Sequence, residues 1–191
     1  MLEVVQIAYW LALATWFGAV LFLTLAPPII LRTVRETNPV LPGVLSVNLE
    51  GQHGTLLAGS ITSNLMAVVM RVELACAGVL LLAVLAQWFL VDLRGANVVP
   101  QILRTALAVA AGAFLLFDWR VVWPKVLRYR QQYLDHADEP DVANPALDQF
   151  DRYQGESLTI LRIVLALLLG LILFSANVVA RSATTTIQLT P

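Results

Sequence analysis

The sequence predicts an all-α integral membrane protein, a bundle of four membrane-spanning helices. Of its 191 residues, 59% are hydrophobic and only 13% are charged, whereas charged residues make up about 25% of a typical soluble domain. The apolar residues form four long stretches, and a helix of roughly 20 apolar residues crosses hydrocarbon about 30 Å thick. We expect spans at about residues 4–30, 66–91, 101–123 and 158–180, within a single membrane domain over residues 1–191.

The first span is uncharged throughout. No basic residue precedes it, and it is longer than the apolar region of a signal peptide, so we expect it to be a membrane span. Pro27 and Pro28 should end or kink this helix, because proline lacks the backbone donor and clashes with the preceding turn.

An interfacial segment is expected before the second span, the alternative being an early extension of that span. Residues 55–70 are apolar but contain four neighbouring polar side chains, Ser60, Thr62, Ser63 and Asn64. A helix that joined this segment to the uncharged residues 74–91 would be longer than a bilayer requires, even with a steep tilt. We therefore expect a bend or an angled entry near Asn64.

The third span carries charges at both ends. Its strictly uncharged part, residues 105–117, is too short to cross a bilayer. The helix must therefore take Arg104 near one membrane face, and Asp118 and Arg120 near the other. A long arginine side chain can extend to the interface, whereas an aspartate reaches less far. Pro124 should limit the helix.

The longest polar segment, residues 125–156, begins basic and becomes acidic. Its start should continue as a helix beyond the bilayer, and Pro140 and Pro145 should break whatever follows. We expect a polar loop here, before the fourth span, and a loose tail over residues 182–191.

Four crossings place both termini on one side of the membrane. The first and third loops hold more Lys and Arg than the other side does. Positively charged loops tend to stay in the cytoplasm. This distribution predicts that the first and third loops are cytoplasmic and that the termini are outside the cytoplasm, most simply in a bacterial inner membrane.

A charged cluster is predicted at one membrane face, where the second span starts, the third ends and the fourth starts. Its members are Arg71, Glu73, Asp118, Arg120, Glu156 and Arg162. A charge in hydrocarbon costs about 2.5–3.5 kcal/mol, so partners are expected. We expect Glu73 to pair with Arg120 or Arg162, and Asp118 with Arg71. Such pairs would either hold the helices in register or line a polar vestibule for an ion, a proton or an amphipathic ligand.

Composition and motifs argue against several other functions. A net charge of −1 lacks the basic footprint that nucleic acids require. The one cysteine, Cys76, cannot form an intramolecular disulfide. Histidine is absent from the spans, so intramembrane haem has no usual ligand. The acidic loop around His136 lacks the ligand spacing of a calcium loop. We predict no catalytic residue, metal site or cofactor.

Several short motifs of the chain resemble those of a known membrane-protein family. The first helix has an internal glycine, Gly18, and ends in Ala-Pro at Ala26. Trp123-Pro124 followed by Arg128 resembles the family's exit from its third span. Phe150 and Ser157 match the first and last positions of a motif before the last span, and the family has a histidine between these two positions. Here that position is Gln154, so a role tied to the imidazole is not implied. On these motifs the chain resembles the bacterial four-helix domain-of-unknown-function family related to human transmembrane protein 205. The resemblance implies the four-helix fold and membrane residence.

Three functions remain open from the sequence. The first is a non-enzymatic accessory or interaction protein, with the lipid bilayer and a second copy or another membrane protein as partners. The second is an ion or small-molecule transporter or channel that uses the charged cluster. The third, with the weakest support, is a membrane oxidoreductase or metal-handling protein.

Overall fold

A computed structural model describes residues 2–37, 53–90, 98–136 and 139–188. Almost all of these residues are helical, and none of them lies in a strand. The helices are α1 (Leu2–Thr37), α2 (His53–Leu90), α3 (Val99–Phe117), α4 (Trp123–Asp135) and α5 (Pro140–Gln188), and a π-helical turn, Asp118–Val122, joins α3 to α4. Expectations for residues 38–52, 91–97 and 189–191 lie outside the described residues.

The predicted fold class is confirmed. Four segments are long and apolar enough to cross a membrane, namely Leu2–Val34, Leu57–Phe89, Val99–Asp135 and Pro140–Ser175. Many large apolar side chains on these segments face outward, among them Val4, Leu82 and Phe89. Outward apolar faces of this kind are stable in lipid, where the surrounding medium is itself hydrocarbon.

Of the two outcomes expected at Pro27 and Pro28, an end or a kink of the first helix, the end is not found. Helix α1 runs through both prolines and reaches Thr37. The two prolines still leave the carbonyl groups of Leu23 and Thr24 without their helical donors, because a proline nitrogen carries no hydrogen. Transmembrane helices tolerate this loss where neighbouring side chains or water can satisfy the carbonyls.

Residues 55–70 continue directly into the second span, which is the alternative stated for this segment, and the bend expected near Asn64 does not interrupt the helix. Helix α2 is one uninterrupted helix of 38 residues, and it includes the position of the expected bend near Asn64. Thr62 and Ser63 are buried, whereas Asn64 faces outward. The polar side chains are thus accommodated within the bundle or on its surface, and the helix needs no break to place them.

The segment over residues 125–156 continues as helix to Asp135, as expected for its start, and α5 begins at Pro140, where a break was expected. The rest is more helical than the predicted polar loop: Pro124 lies in the first turn of α4 and Pro145 lies inside α5, so neither ends a helix there. The rings of Tyr129 and Tyr153 stack with centroids 5.6 Å apart, and Lys125 Nζ lies 4.8 Å from the Tyr153 ring centroid. We call this α4–α5 pair the polar hairpin.

The loose tail expected over residues 182–191 is replaced by helix as far as the structure describes it, since α5 continues to Gln188. Helix α5 is therefore 49 residues long. A helix of this length rises far more than the thickness of a bilayer.

The core lies between antiparallel neighbours. Gln87 on α2 donates to Gln6 at the start of α1, and Trp88 near the end of α2 donates to Thr105 near the start of α3. Residues that point inward recur every three or four positions, as helical geometry requires. On α1 these are Tyr9, Leu13, Trp16, Val20 and Leu23.

Candidate functional site

Glu73 is buried in the centre of the bundle. Its exposed fraction is 1%, and it stands midway along the apolar segment Leu57–Phe89 of α2. It continues the inward stripe of α2, between Met70 and Ala77. An ionisable side chain at such a depth is costly in hydrocarbon and commonly marks an ion or proton pathway.

Asp118 is the second buried carboxyl group, with an exposed fraction of 4%. It is the first residue of the π-helical turn, in which the backbone N–H of Trp123 donates to the Asp118 carbonyl. Asp118 follows buried Leu115 by three residues, and Val122 and Val126 continue the inward face at four-residue spacing through the turn. Single π turns inside α-helices occur frequently at functional sites.

Ser157 on α5 completes a small polar centre. Its exposed fraction is 1%, and its hydroxyl donates to Asp118 Oδ2 at 3.0 Å. Asp118 also interacts electrostatically with Glu73. We call these three residues the carboxyl centre: Glu73 from α2, Asp118 from the π-helical turn and Ser157 from α5.

The carboxyl centre retains unused acceptors. Glu73 Oε1 and Asp118 Oδ1 are buried and have no hydrogen-bond partner, and the indole Nε1 of Trp16 on α1 is likewise buried without one. Buried polar atoms in folded proteins are nearly always satisfied, so such a group of exceptions calls for a physical explanation. Two free carboxyl oxygens are acceptors for a proton or ligands for a cation.

The expected arginine pairings are wrong. Arg71, Arg120 and Arg162 are exposed, and in the part of the chain that the structure describes no basic group forms an ion pair with Glu73 or Asp118. Two positions along an α-helix correspond to a rotation of about 200°. Arg71 therefore points away from the face that carries Glu73, and Arg120 likewise leaves the inward face of Asp118.

The other members of the predicted cluster have local partners. Arg120 lies 5.1 Å from the ring centroid of its neighbour Trp119. Glu156 is exposed and accepts from Arg152 Nε at 3.3 Å, an i,i+4 pair on α5. The structure thus brings together Glu73 and Asp118 alone among the six predicted residues.

Ser157 is a member of the site that the charge pattern alone could not identify. It belongs to the inward stripe of α5, in which Ser157, Leu161, Val164, Leu168 and Leu171 follow one another at three- and four-residue spacing. A serine in register with buried leucines is the signal that could have pointed to it, because that spacing places all five on one face.

A cavity of about 460 Å³ lies between α1, α2 and α5. Its lining includes Leu158, the residue after Ser157, and Gln154, one turn earlier on α5, but none of the three residues of the carboxyl centre. The wall contributed by α1 includes Thr24 and the two prolines, and Arg162 and Asp151 provide charge. The cavity thus combines apolar walls with a few polar groups, as small-ligand sites do.

The donor set limits what the carboxyl centre can bind. Two carboxyl groups and one hydroxyl provide only oxygen ligands, which suit a proton or a hard cation. Within the described helices, no group of three or more His, Cys, Asp and Glu side chains is arranged to hold a metal ion. The arrangement therefore fits a proton or a small monovalent cation better than a tightly held divalent metal.

Comparison of the chain with protein-family models, with curated proteins and with solved structures gives no match. The resemblance to the transmembrane protein 205-like family thus rests on the short motifs given above.

Proposed function

We propose that this chain is a small membrane transporter or channel that passes a proton or a small monovalent cation through the carboxyl centre. One observation carries the proposal: Glu73 and Asp118 are buried together in the middle of the bundle, and no basic side chain among the described residues neutralises them. This is the second of the functions that the sequence left open.

The electrostatic argument is direct. Two carboxylates held in a low-dielectric interior repel each other, and each loses its hydration. A positive charge near them relieves both penalties, and no Lys or Arg of the described helices forms an ion pair with either group, so a proton or a cation would supply it. Ser157 supplies one donor to Asp118 and leaves the second Asp118 oxygen free for that positive charge.

The cavity between α1, α2 and α5 is the route of access that this proposal assigns to the carboxyl centre. Of its lining residues, Leu158 is the sequence neighbour of Ser157 on α5. The cavity volume of about 460 Å³ is sufficient for a hydrated ion and several waters. The carbonyls of Leu23 and Thr24, released by the two prolines of α1, add oxygen ligands in the same region.

The competing account is an accessory or interaction protein in which the carboxyl centre only fixes helix packing. A purely structural role is less economical, because apolar pairs of similar volume usually stabilise a bundle as well or better. The same proposal includes a location in a bacterial inner membrane with the termini outside the cytoplasm, which the Lys and Arg distribution supports. It also includes a relation to the transmembrane protein 205-like family, which the short motifs support.

The proposal is tested by flux measurements on protein reconstituted in liposomes with an imposed membrane potential. We expect the wild type to pass protons, Na⁺ or K⁺, and we expect Glu73→Gln and Asp118→Asn to reduce the flux at least tenfold. Glu156→Gln is the matched control, since it removes an exposed carboxylate from the same predicted cluster and should leave the flux unchanged.

Thermal unfolding in detergent separates loss of function from loss of structure in these variants. Reduced flux together with an unfolding temperature close to that of the wild type supports the proposal. The accessory role would be the better account if the folded wild type passed none of the three ions, or if both carboxyl variants passed them at the wild-type rate.

A further inference from the structure

A second polar centre occupies the opposite end of the bundle and is built around Arg104. This arginine lies near the start of α3, and its exposed fraction is 6%. Its guanidinium carbon lies 4.7 Å from the ring centroid of Tyr9 on α1, and the Tyr9 hydroxyl is 2.6 Å from Ser175 Oγ on α5. Arg104 is therefore directed into the interior between three helices.

The guanidinium has donors that nothing in the bundle uses. Arg104 Nη1 donates to Gln101 Oε1 at 3.3 Å, but Nε and Nη2 are buried without a partner. These two nitrogens form one edge of the planar group, and that edge is the one that holds two oxygens of a carboxylate or phosphate side by side. The Nε2 of Gln101 is a third buried donor without a partner.

The unsatisfied atoms here are all donors, in contrast to the free carboxyl oxygens of the carboxyl centre. Arginine keeps its positive charge under all ordinary conditions. No carboxylate among the described residues lies within ion-pair distance of Arg104. The first turns of α3 add positive potential from the helix dipole.

We propose that Arg104 and Gln101 form a binding site for a phosphate group. The Nε–Nη2 edge of Arg104 would bind two phosphate oxygens, and Gln101 Nε2 would donate to a third. Three buried donors near a helix N-terminus match the oxygens of a tetrahedral phosphate more fully than those of a carboxylate, which has only two. The phosphate belongs either to a free ion or to a phospholipid headgroup.

The site is tested with the full chain in detergent after removal of bound lipid. One arm adds radiolabelled inorganic phosphate at constant ionic strength, with chloride as the reference salt. The other arm adds phosphatidylglycerol in mixed micelles and measures both its retention and its competition with the label. We expect saturable binding in at least one arm, and the arm that binds at lower concentration identifies the source of the phosphate.

Variants of the two donors make the test specific. Arg104→Gln should abolish binding, and Arg104→Lys, which keeps the charge but loses the two-nitrogen edge, should weaken binding at least tenfold. Arg120→Gln is the matched control, because it removes an exposed arginine that follows the same helix and should bind as the wild type does.

The proposal is overturned if wild-type protein binds neither probe, or if Arg104→Gln binds as tightly as the wild type. Should Arg104→Gln fail to fold, Gln101→Leu replaces it; a tenfold weaker affinity in that variant supports the site, and an unchanged affinity contradicts it. These readouts are independent of ion flux, so the outcome does not depend on the function proposed above.

Discussion

The hydroxyl of Ser157 on α5 donates to Oδ2 of Asp118 at 3.0 Å, and both side chains are buried. This bond connects the π-helical turn to the inward stripe of α5. A hydrogen bond to an ionised or polar carboxyl group in a dry interior is stronger than one in water. It therefore fixes the orientation of Asp118 and determines which of its two oxygens stays free.

Ser157→Ala should destabilise the protein by about 1–3 kcal/mol, because it leaves a second Asp118 oxygen buried without a donor. The measurement is the unfolding free energy in detergent with a denaturing co-detergent. Thr159→Ala is the control, since Thr159 is exposed and bonds only to the Gly155 carbonyl of its own helix. Equal losses for the two variants would contradict the role assigned to Ser157.

The arginines nearest to the carboxyl centre in sequence should be energetically independent of it. We expect a double-mutant cycle between Arg71→Gln and Asp118→Asn to give a coupling energy below about 0.5 kcal/mol, as for side chains that do not touch. The same cycle for Ser157→Ala with Asp118→Asn should give a larger value. A strong coupling of Arg71 to Asp118 would restore the pairing that the sequence suggested.

Tyr9 and Ser175 join α1 to α5 at the end of the bundle that carries Arg104. Tyr9→Phe and Ser175→Ala should each cost about 0.5–1.5 kcal/mol, because each removes one partner of a buried hydrogen bond. The double variant should cost less than the sum of the two single variants, which share one bond. Additive losses in thermal or chemical unfolding would show that the hydroxyl groups act separately.

Packing on the inward stripe of α5 should dominate its contribution to stability. Leu168→Ala is expected to cost about 2–5 kcal/mol, because Leu168 is fully buried and its truncation leaves a cavity. Leu169→Ala, on the exposed neighbouring face, should change stability by about 0.5 kcal/mol or less. Steric trapping or denaturation in detergent measures the stability of both variants. A larger loss for Leu169→Ala than for Leu168→Ala would contradict the assignment of faces.

The sequence predicted the fold class because the hydropathy of a segment depends only on its composition, and each of the four apolar stretches is long enough to cross a bilayer. It misplaced Glu73 and Asp118 because they were treated as charges at a membrane face. Their position on the inward stripe could have been read from helical spacing, since Glu73 follows Met70 by three residues and Asp118 follows Leu115 by three.

Other features depend on tertiary packing that no local pattern encodes. The stacking of Tyr129 on Tyr153 joins two polar segments that look like loop in isolation. The π-helical turn has one local signal, Pro124, which cannot donate to the Arg120 carbonyl and so disturbs the hydrogen-bond ladder. That signal predicts a distortion of the helix near Arg120, but it does not specify a π-helical turn.

The polar hairpin has a mechanical consequence for the carboxyl centre. Asp118 and Tyr129 lie on the continuous helical segment formed by the π-helical turn and α4, and Tyr153 and Ser157 lie on α5. The stacked rings hold the two helical segments together a few turns from the hydrogen bond between Ser157 and Asp118. A partner that bound the polar hairpin and rotated α4 relative to α5 would strain the surroundings of Asp118, because both helices are stiff enough to transmit the rotation.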